Sequence, residues 1–191
     1  MPALFAGLAQ SLATVVLAAG GASACPPLLD HTLPKLHSSE SVALCQFAGR
    51  PILIVNTASY CGYTGQFRGL EALWKANRDD GLVVIGFPSD DFNQEDADAA
   101  KTAEVCYVNY GVTFPMVAAS PVARGAVNPV FAELQQQGAR LPAWNFHKYV
   151  IDRQGRLVAQ FGSGTGPDDP ALAAAIAKAA AVPAAATRAA R

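Results

Sequence analysis

Two short apolar runs, Pro51-Ile52-Leu53-Ile54-Val55 and Leu82-Val83-Val84-Ile85-Gly86-Phe87, flank a stretch of helical periodicity. This arrangement limits the fold more than any other feature of the chain. Both runs carry the β-branched bias of buried strands, expected at 51–56 and 82–87. Between them Phe67, Leu70, Leu73 and Trp74 recur at helical spacing and predict a helix from Gln66 to Asn77. Strand, helix and strand in that order make a parallel βαβ unit. Two further strands are expected at 147–151 and 156–161, joined by the turn-like Asp152-Arg153-Gln154-Gly155 into an antiparallel hairpin. Helices are predicted from Ala97 to Asn109, from Phe131 to Gln137 with a start near Pro129, and from Ala171 to Ala181 before Pro183. Pro26, Pro27 and Pro34 punctuate Cys25 to Ser41, an extended lead-in with at most short strands.

A chain of 191 residues suits one domain with a sizeable core. Fourteen basic and fifteen acidic residues nearly cancel and neither sign clusters, which points away from nucleic acid or an anionic membrane surface. Residues 4–22 are almost uncharged and are followed by Ala22-Ser23-Ala24, a small-residue cleavage pattern. Residues 1–24 therefore read as a secretory signal peptide, although the n-region has no Lys or Arg. A membrane anchor and a lipidated Cys25 are the competing readings, ranked lower because the stretch is weakly apolar and Ala22 stands three residues before the cysteine. The expected organisation is a signal peptide at 1–24, a domain at 25–182 and a disordered Ala-rich tail at 183–191, in an exported protein of the periplasm or the exterior.

Four cysteines, Cys25, Cys45, Cys61 and Cys106, would then meet an oxidising compartment in which disulfides persist. They show no C-x-x-C spacing and no paired Cys/His arrangement, so no metal site is expected. A structural bridge between Cys25 and Cys45 would staple the Pro-rich lead-in, but four cysteines allow three pairings and the spacing alone does not choose. Cys61 stands apart. It falls where a strand ends and a helix begins, and a helix start offers unpaired N–H groups and a positive dipole end that favour thiolate over thiol. A thiolate is the nucleophilic form of cysteine.

The residues around Cys61 sharpen that reading. Asn56-Thr57-Ala58-Ser59-Tyr60-Cys61-Gly62-Tyr63-Thr64 resembles the segment around the peroxidatic residue of the glutathione peroxidase family, with cysteine at the position that is cysteine or selenocysteine there. Gly69-Leu70-Glu71-Ala72-Leu73-Trp74, Gly81 to Pro88, Phe92-Asn93-Gln94-Glu95 and Trp144-Asn145-Phe146-His147-Lys148-Tyr149 continue the resemblance in order, over about Leu29 to Leu172. The order of elements is that of an α/β, thioredoxin-like fold with a central mixed sheet flanked by helices, and the resemblance implies the same fold. It further implies a thiol peroxidase that reduces hydrogen peroxide or organic hydroperoxides through Cys61, with Gln94, Trp144 and Asn145 as the other active-site residues. Amide and indole N–H groups donate at any physiological pH, which suits them to hold a sulfur anion and peroxide oxygens together. The second signature departs from the family pattern: Ser89-Asp90-Asp91 replaces a Cys-Asn-Gln run, and the loop before Gln94 is one residue shorter.

The family returns its oxidised cysteine to thiol with glutathione, or through a resolving cysteine that thioredoxin-type proteins then reduce. No cofactor is implied beyond that external thiol. Cys106 is the candidate resolving residue. Counting back from Phe114-Pro115, it lies one residue before the family position, which Tyr107 occupies, and one residue on a helix is a rotation of ~100°. Buried packing is the alternative role for its sulfur. The short segment between Phe114 and Trp144 lacks the insertion that builds tetramers in some relatives, so a monomer is expected. His147, near the motif, could in principle form a Cys–His pair with Cys61, but Cys61-Gly62-Tyr63-Thr64 lacks protease surroundings. The alternative functions are an envelope thiol–disulfide exchange protein and a redox-sensing module on the same fold.

Overall fold

The computed structural model describes residues 25–184. The expected signal peptide and most of the expected tail lie outside them. After a single 3₁₀ turn at Pro27–Leu29, the lead-in forms a small hairpin of β1 (Thr32–Pro34) and β2 (Ser41–Ala43). A disulfide joins Cys25 to Cys45 at the two ends of this lead-in. The chain then enters β3 (Ile52–Thr57), α1 (Gln66–Asn77) and β4 (Val83–Pro88), the expected βαβ unit, with β3 and β4 parallel. α2 (Ala99–Ala103), a π-helical turn (Glu104–Asn109) and α3 (Pro129–Gln136) follow. β5 (Lys148–Ile151) and β6 (Leu157–Phe161) make the hairpin, and α4 (Pro170–Ala181) closes the described chain.

The main sheet has the order β4-β3-β5-β6, with β5 antiparallel to both β3 and β6. Both faces are covered, which explains why β3 and β4 read as continuous apolar runs rather than alternating ones. On one face Leu53, Val55, Val84 and Val150 pack against Phe67 and Leu70 of α1 and Leu172 and Ile176 of α4. On the other, Ile52, Ile54, Val83, Ile85, Tyr149 and Ile151 pack against Phe131 and Leu134 of α3 and against Leu28, Leu29 and Leu44 of the lead-in. The β4 edge is not left open, because Gly86 exchanges backbone hydrogen bonds with Pro115 and Val117. The mixed sheet flanked by helices is the expected thioredoxin-like architecture.

One element differs from its expectation. The helix predicted from Ala97 to Asn109 begins at Ala99, where the Asp98 carboxylate caps Ala100 N–H, and leaves α-helical geometry after Ala103. Tyr110 N–H donates to Val105 O, five residues back, the hydrogen bond of a π turn. The extra residue per turn rotates the side chains that follow, and Cys106 ends up pointing into the core, 1% exposed.

Candidate active site

β3 delivers the chain to the cysteine loop, and a short hydrogen-bonded turn holds it there. Thr64 Oγ1 donates to Ala58 O and accepts from Cys61 N–H, while Thr64 N–H donates to Cys61 O. Cys61 is therefore set in a closed turn ahead of α1, five residues before Gln66, rather than in the first turn of the helix itself. Its Sγ accepts the Tyr63 N–H at 3.4 Å and is 7% exposed. Tyr60 and Tyr63 on either side are exposed aromatics.

β4 delivers the second loop beside the first, as parallel neighbours must. Ser89 N–H donates to Thr57 O, and Tyr60 N–H donates to Gln94 O at 2.9 Å, so the two loops are laced by backbone bonds. Below them, Ser59 Oγ donates to Glu95 Oε1, which also accepts from Thr102 Oγ1 of α2 and from Asp96 N–H. Burial pushes the Glu95 carboxyl above the usual range, against the lowering effect of these donors. The shortened loop is anchored by Asp91, whose carboxylate accepts the N–H groups of Val122 and Ala123. Asn93 takes a left-handed φ of 55° at the bend, a conformation Asn tolerates better than most residues.

The third segment, Trp144-Asn145-Phe146, precedes β5. Asn145 is fully buried, and its Nδ2 donates to Gln94 Oε1 at 3.0 Å. The Asn145 Oδ1 is buried with no hydrogen-bond partner. Trp144 stays 40% exposed, with its ring 5.4 Å from that of Phe92 in the Gln94 loop. The structure thus joins Gln94 directly to Asn145, packs Trp144 on the Gln94 loop, and laces that loop to the cysteine loop. A chemical centre of this kind offers one thiol, neutral amide and indole donors, and an acceptor without a partner.

Two residues quoted within the motifs, Asn56 and Lys148, carry roles that sequence reasoning did not assign. Asn56, at the end of β3, donates from Nδ2 to Trp144 O, accepts His147 N–H at Oδ1, and takes Phe146 N–H on its own carbonyl. Lys148 is fully buried on a core strand. Period-two alternation from Val150 would have put that lysine on the core face, which is the signal that could have found it. His147 is half-buried, and burial together with the Lys148 charge lowers its imidazole below the ordinary value.

Cys106 is a free thiol, and burial, followed by the Glu95 charge, pushes it up to about 12. It is not brought to the surface beside Cys61.

Comparison with known proteins places the chain. The family model for glutathione peroxidase matches residues 29–135. A glutathione peroxidase homolog of Bacillus subtilis is 36% identical over 145 residues, covering 73% of this chain and 91% of the relative. The chain belongs to the glutathione peroxidase family. A glutathione peroxidase-like peroxiredoxin of Chlamydomonas reinhardtii is 44% identical over 124 residues, covering 62% of this chain and 76% of the relative. A hydroperoxy fatty acid reductase of Synechocystis is 39% identical over 139 residues, covering 67% and 82%. Among solved structures, that of Trgpx in apo form superposes with a TM-score of 0.65 at 29% identity, covering 84% of this chain and 99% of that one. A thiol:disulfide interchange protein from Chlorobium tepidum superposes with a TM-score of 0.59 at 18% identity, over 81% of this chain and 96% of that one, a likeness of fold alone.

Proposed function

We propose that this member of the glutathione peroxidase family reduces hydrogen peroxide or organic hydroperoxides with Cys61 as the peroxidatic residue and with Gln94, Trp144 and Asn145 as donors to the reacting sulfur and peroxide oxygens. The observation that carries the reading is the Asn145–Gln94 hydrogen bond, which links two of the three family positions above a loop laced to Cys61. In the reaction, the Cys61 thiolate attacks one peroxide oxygen, the O–O bond breaks, and the departing oxygen leaves as water or alcohol after taking a proton. The sulfur is left as sulfenic acid. Two external thiol equivalents restore it, forming a disulfide and water. Neutral donors around the sulfur stabilise charge on the departing oxygen without losing protons of their own. The reading requires no metal and no bound cofactor. A thiol–disulfide exchange role is disfavoured because Cys61 is followed by Gly62-Tyr63-Thr64 with no second cysteine in the motif. Peroxide consumption followed by stopped flow, with thioredoxin and glutathione offered separately, tests the activity and identifies the reductant; no consumption with either would overturn the reading.

The burial of Cys106 bears on recycling. A thiol held at about 12 is protonated throughout the physiological range and presents no thiolate to a sulfenic acid. One equivalent of peroxide is therefore expected to leave Cys61 sulfenate available to dimedone, with the external thiol acting directly. Peptide mapping reads the outcome, and a near-quantitative Cys61–Cys106 bridge would show instead that the π-helical turn opens to resolve the intermediate. Cys25 and Cys45 are expected unchanged by peroxide, being already paired.

Export and a monomeric state belong to the same proposal. The Cys25–Cys45 bridge supports export, because such bonds persist in oxidising compartments. Intact-mass measurement on protein from its native host is expected to give a chain that begins at or next to Cys25. A soluble form that retains residues 1–24 would contradict export, and an added lipid mass would favour the lipidated alternative.

A further inference from the structure

Lys148 is 0% exposed, yet no carboxylate pairs with it among the described residues. Its cross-strand neighbours are Val55 of β3 and Phe161 of β6. Its Nζ donates to Gln66 Oε1 at 2.7 Å and to Phe146 O at 2.9 Å. Burying an ammonium with only neutral acceptors costs several kcal/mol, whereas an unbranched apolar side chain would fill the same space at little cost. Burial accordingly lowers the Lys148 amine to about 8. A group held at such expense is better explained by what it holds than by stability.

What it holds is a strained piece of backbone. Phe146 has a φ of 62°, unusual for a bulky residue and costing ~1–3 kcal/mol. The three carbonyls of Trp144, Asn145 and Phe146 are each taken by a different side chain: Asn56 Nδ2, Ser163 Oγ and Lys148 Nζ. The donors are not independent. Gln66, which accepts from Lys148, donates from Nε2 to Ser163 O at 2.7 Å. Gln66 is also the first residue of α1, and its own N–H donates to Tyr63 O, next to the Sγ-binding amide. Lys148 and Gln66 therefore join the end of the cysteine loop to the strained segment that carries Trp144 and Asn145.

We propose that Lys148 is a positioning residue of the peroxidatic reaction, its buried ammonium fixing the Trp144-Asn145-Phe146 backbone against the start of α1 so that the indole and amide face the Cys61 sulfur. This inference rests on the assignment of Cys61, Trp144 and Asn145 proposed above. It does not require Lys148 to touch the peroxide. A misplacement of about 1 Å in such donors costs on the order of a hundredfold in rate.

The test separates two reactions of one thiol. Peroxide reduction needs the Trp144 and Asn145 donors, while alkylation by iodoacetamide at alkaline pH, where a cysteine thiol is ionised without help from donors, needs only access to the sulfur. In Lys148→Met, dimedone-trapped time courses are expected to show Cys61 oxidation by hydrogen peroxide slowed roughly ten- to a hundredfold. Cys61 alkylation, read by mass spectrometry on the same protein, is expected to stay within about threefold of wild type, since the turn that holds the sulfur is intact. Oxidation within about twofold of wild type would overturn the proposal, as would oxidation and alkylation falling in parallel, which would mark a general structural role. Should Lys148→Met fail to fold, Gln66→Met removes one acceptor of the ammonium and the link to Ser163 while leaving Lys148 in place. The same split is then expected at about three- to thirtyfold, and unchanged oxidation would refute the idea. Wild type and Cys61→Ser are run alongside: a wild type that consumes no peroxide removes the underlying assignment, whereas an active wild type matched by both variants removes the Lys148 role alone.

Discussion

Cys61→Ser is expected to abolish peroxide consumption and leave the fold intact. A serine hydroxyl is not ionised at physiological pH, so the variant has no anion to attack the O–O bond. The turn does not depend on sulfur: its closing bonds run through Thr64 to the backbone of Ala58 and Cys61. Among the described residues the hydrogen bond to Sγ comes from the Tyr63 N–H, which an oxygen can also accept. Stopped-flow peroxide consumption together with thermal unfolding measures both halves of the expectation. Full activity in Cys61→Ser would show that the central assignment is wrong, and lost activity with a collapsed melting curve would leave the chemistry to be read from dimedone labelling of the wild type.

Gln94→Ala and Trp144→Phe are expected to slow Cys61 oxidation by about one to three orders of magnitude, the cost of losing one preorganised donor to a developing oxyanion being about 2.7–4 kcal/mol at its largest. The two should not be equal. Gln94 also accepts from Asn145, a residue buried to 0% exposure whose Oδ1 already lacks a partner, so Gln94→Ala strands a second polar group of the same amide. Trp144→Phe keeps a ring to pack on Phe92 and loses only the indole N–H, so it should sit at the lower end of the range. A Gln94→Ala, Asn145→Ala double variant is expected to lose less than the sum of the single changes, because both remove the same hydrogen bond. The second-order rate constant for oxidation is the measurement, and rates unchanged by either single substitution would remove these residues from the chemistry.

Much of the fold was legible because its signals are local. The helix expected at Gln66 to Asn77 has those bounds, and the strands expected at 51–56, 82–87, 147–151 and 156–161 fall within about a residue of β3, β4, β5 and β6. Apolar runs, helical spacing and Asp-x-x-Gly turn chemistry each act over a few residues, and here nothing distant overrides them. The π turn was not legible. Its residues, Glu104 to Asn109, suit an α-helix as well, and what distinguishes the turn, Cys106 buried in the same core cluster as Phe67 and Leu70 of α1, is a tertiary contact. The family membership expected from the motif around Cys61 holds, but the support of the site was hidden for a related reason. Asn56 and Lys148 look like a strand-end polar residue and a strand lysine, and what they do depends on partners about ninety positions along the chain.

Those long separations have a consequence for when the chemistry becomes available. Asn145 reaches Gln94 across 51 residues, and Asn56 reaches Trp144 across 88. Contacts so distant form only after large loops have closed, late in folding for a topology of this kind. The cysteine turn, closed between Ala58 and Thr64, can form from a few neighbouring residues. A chain in which these contacts are not yet made has its thiol turn without the proposed donors, and such a thiol is expected to show no preference for peroxide over other oxidants. On this reading peroxide selectivity is tied to the docking of β5 beside β3.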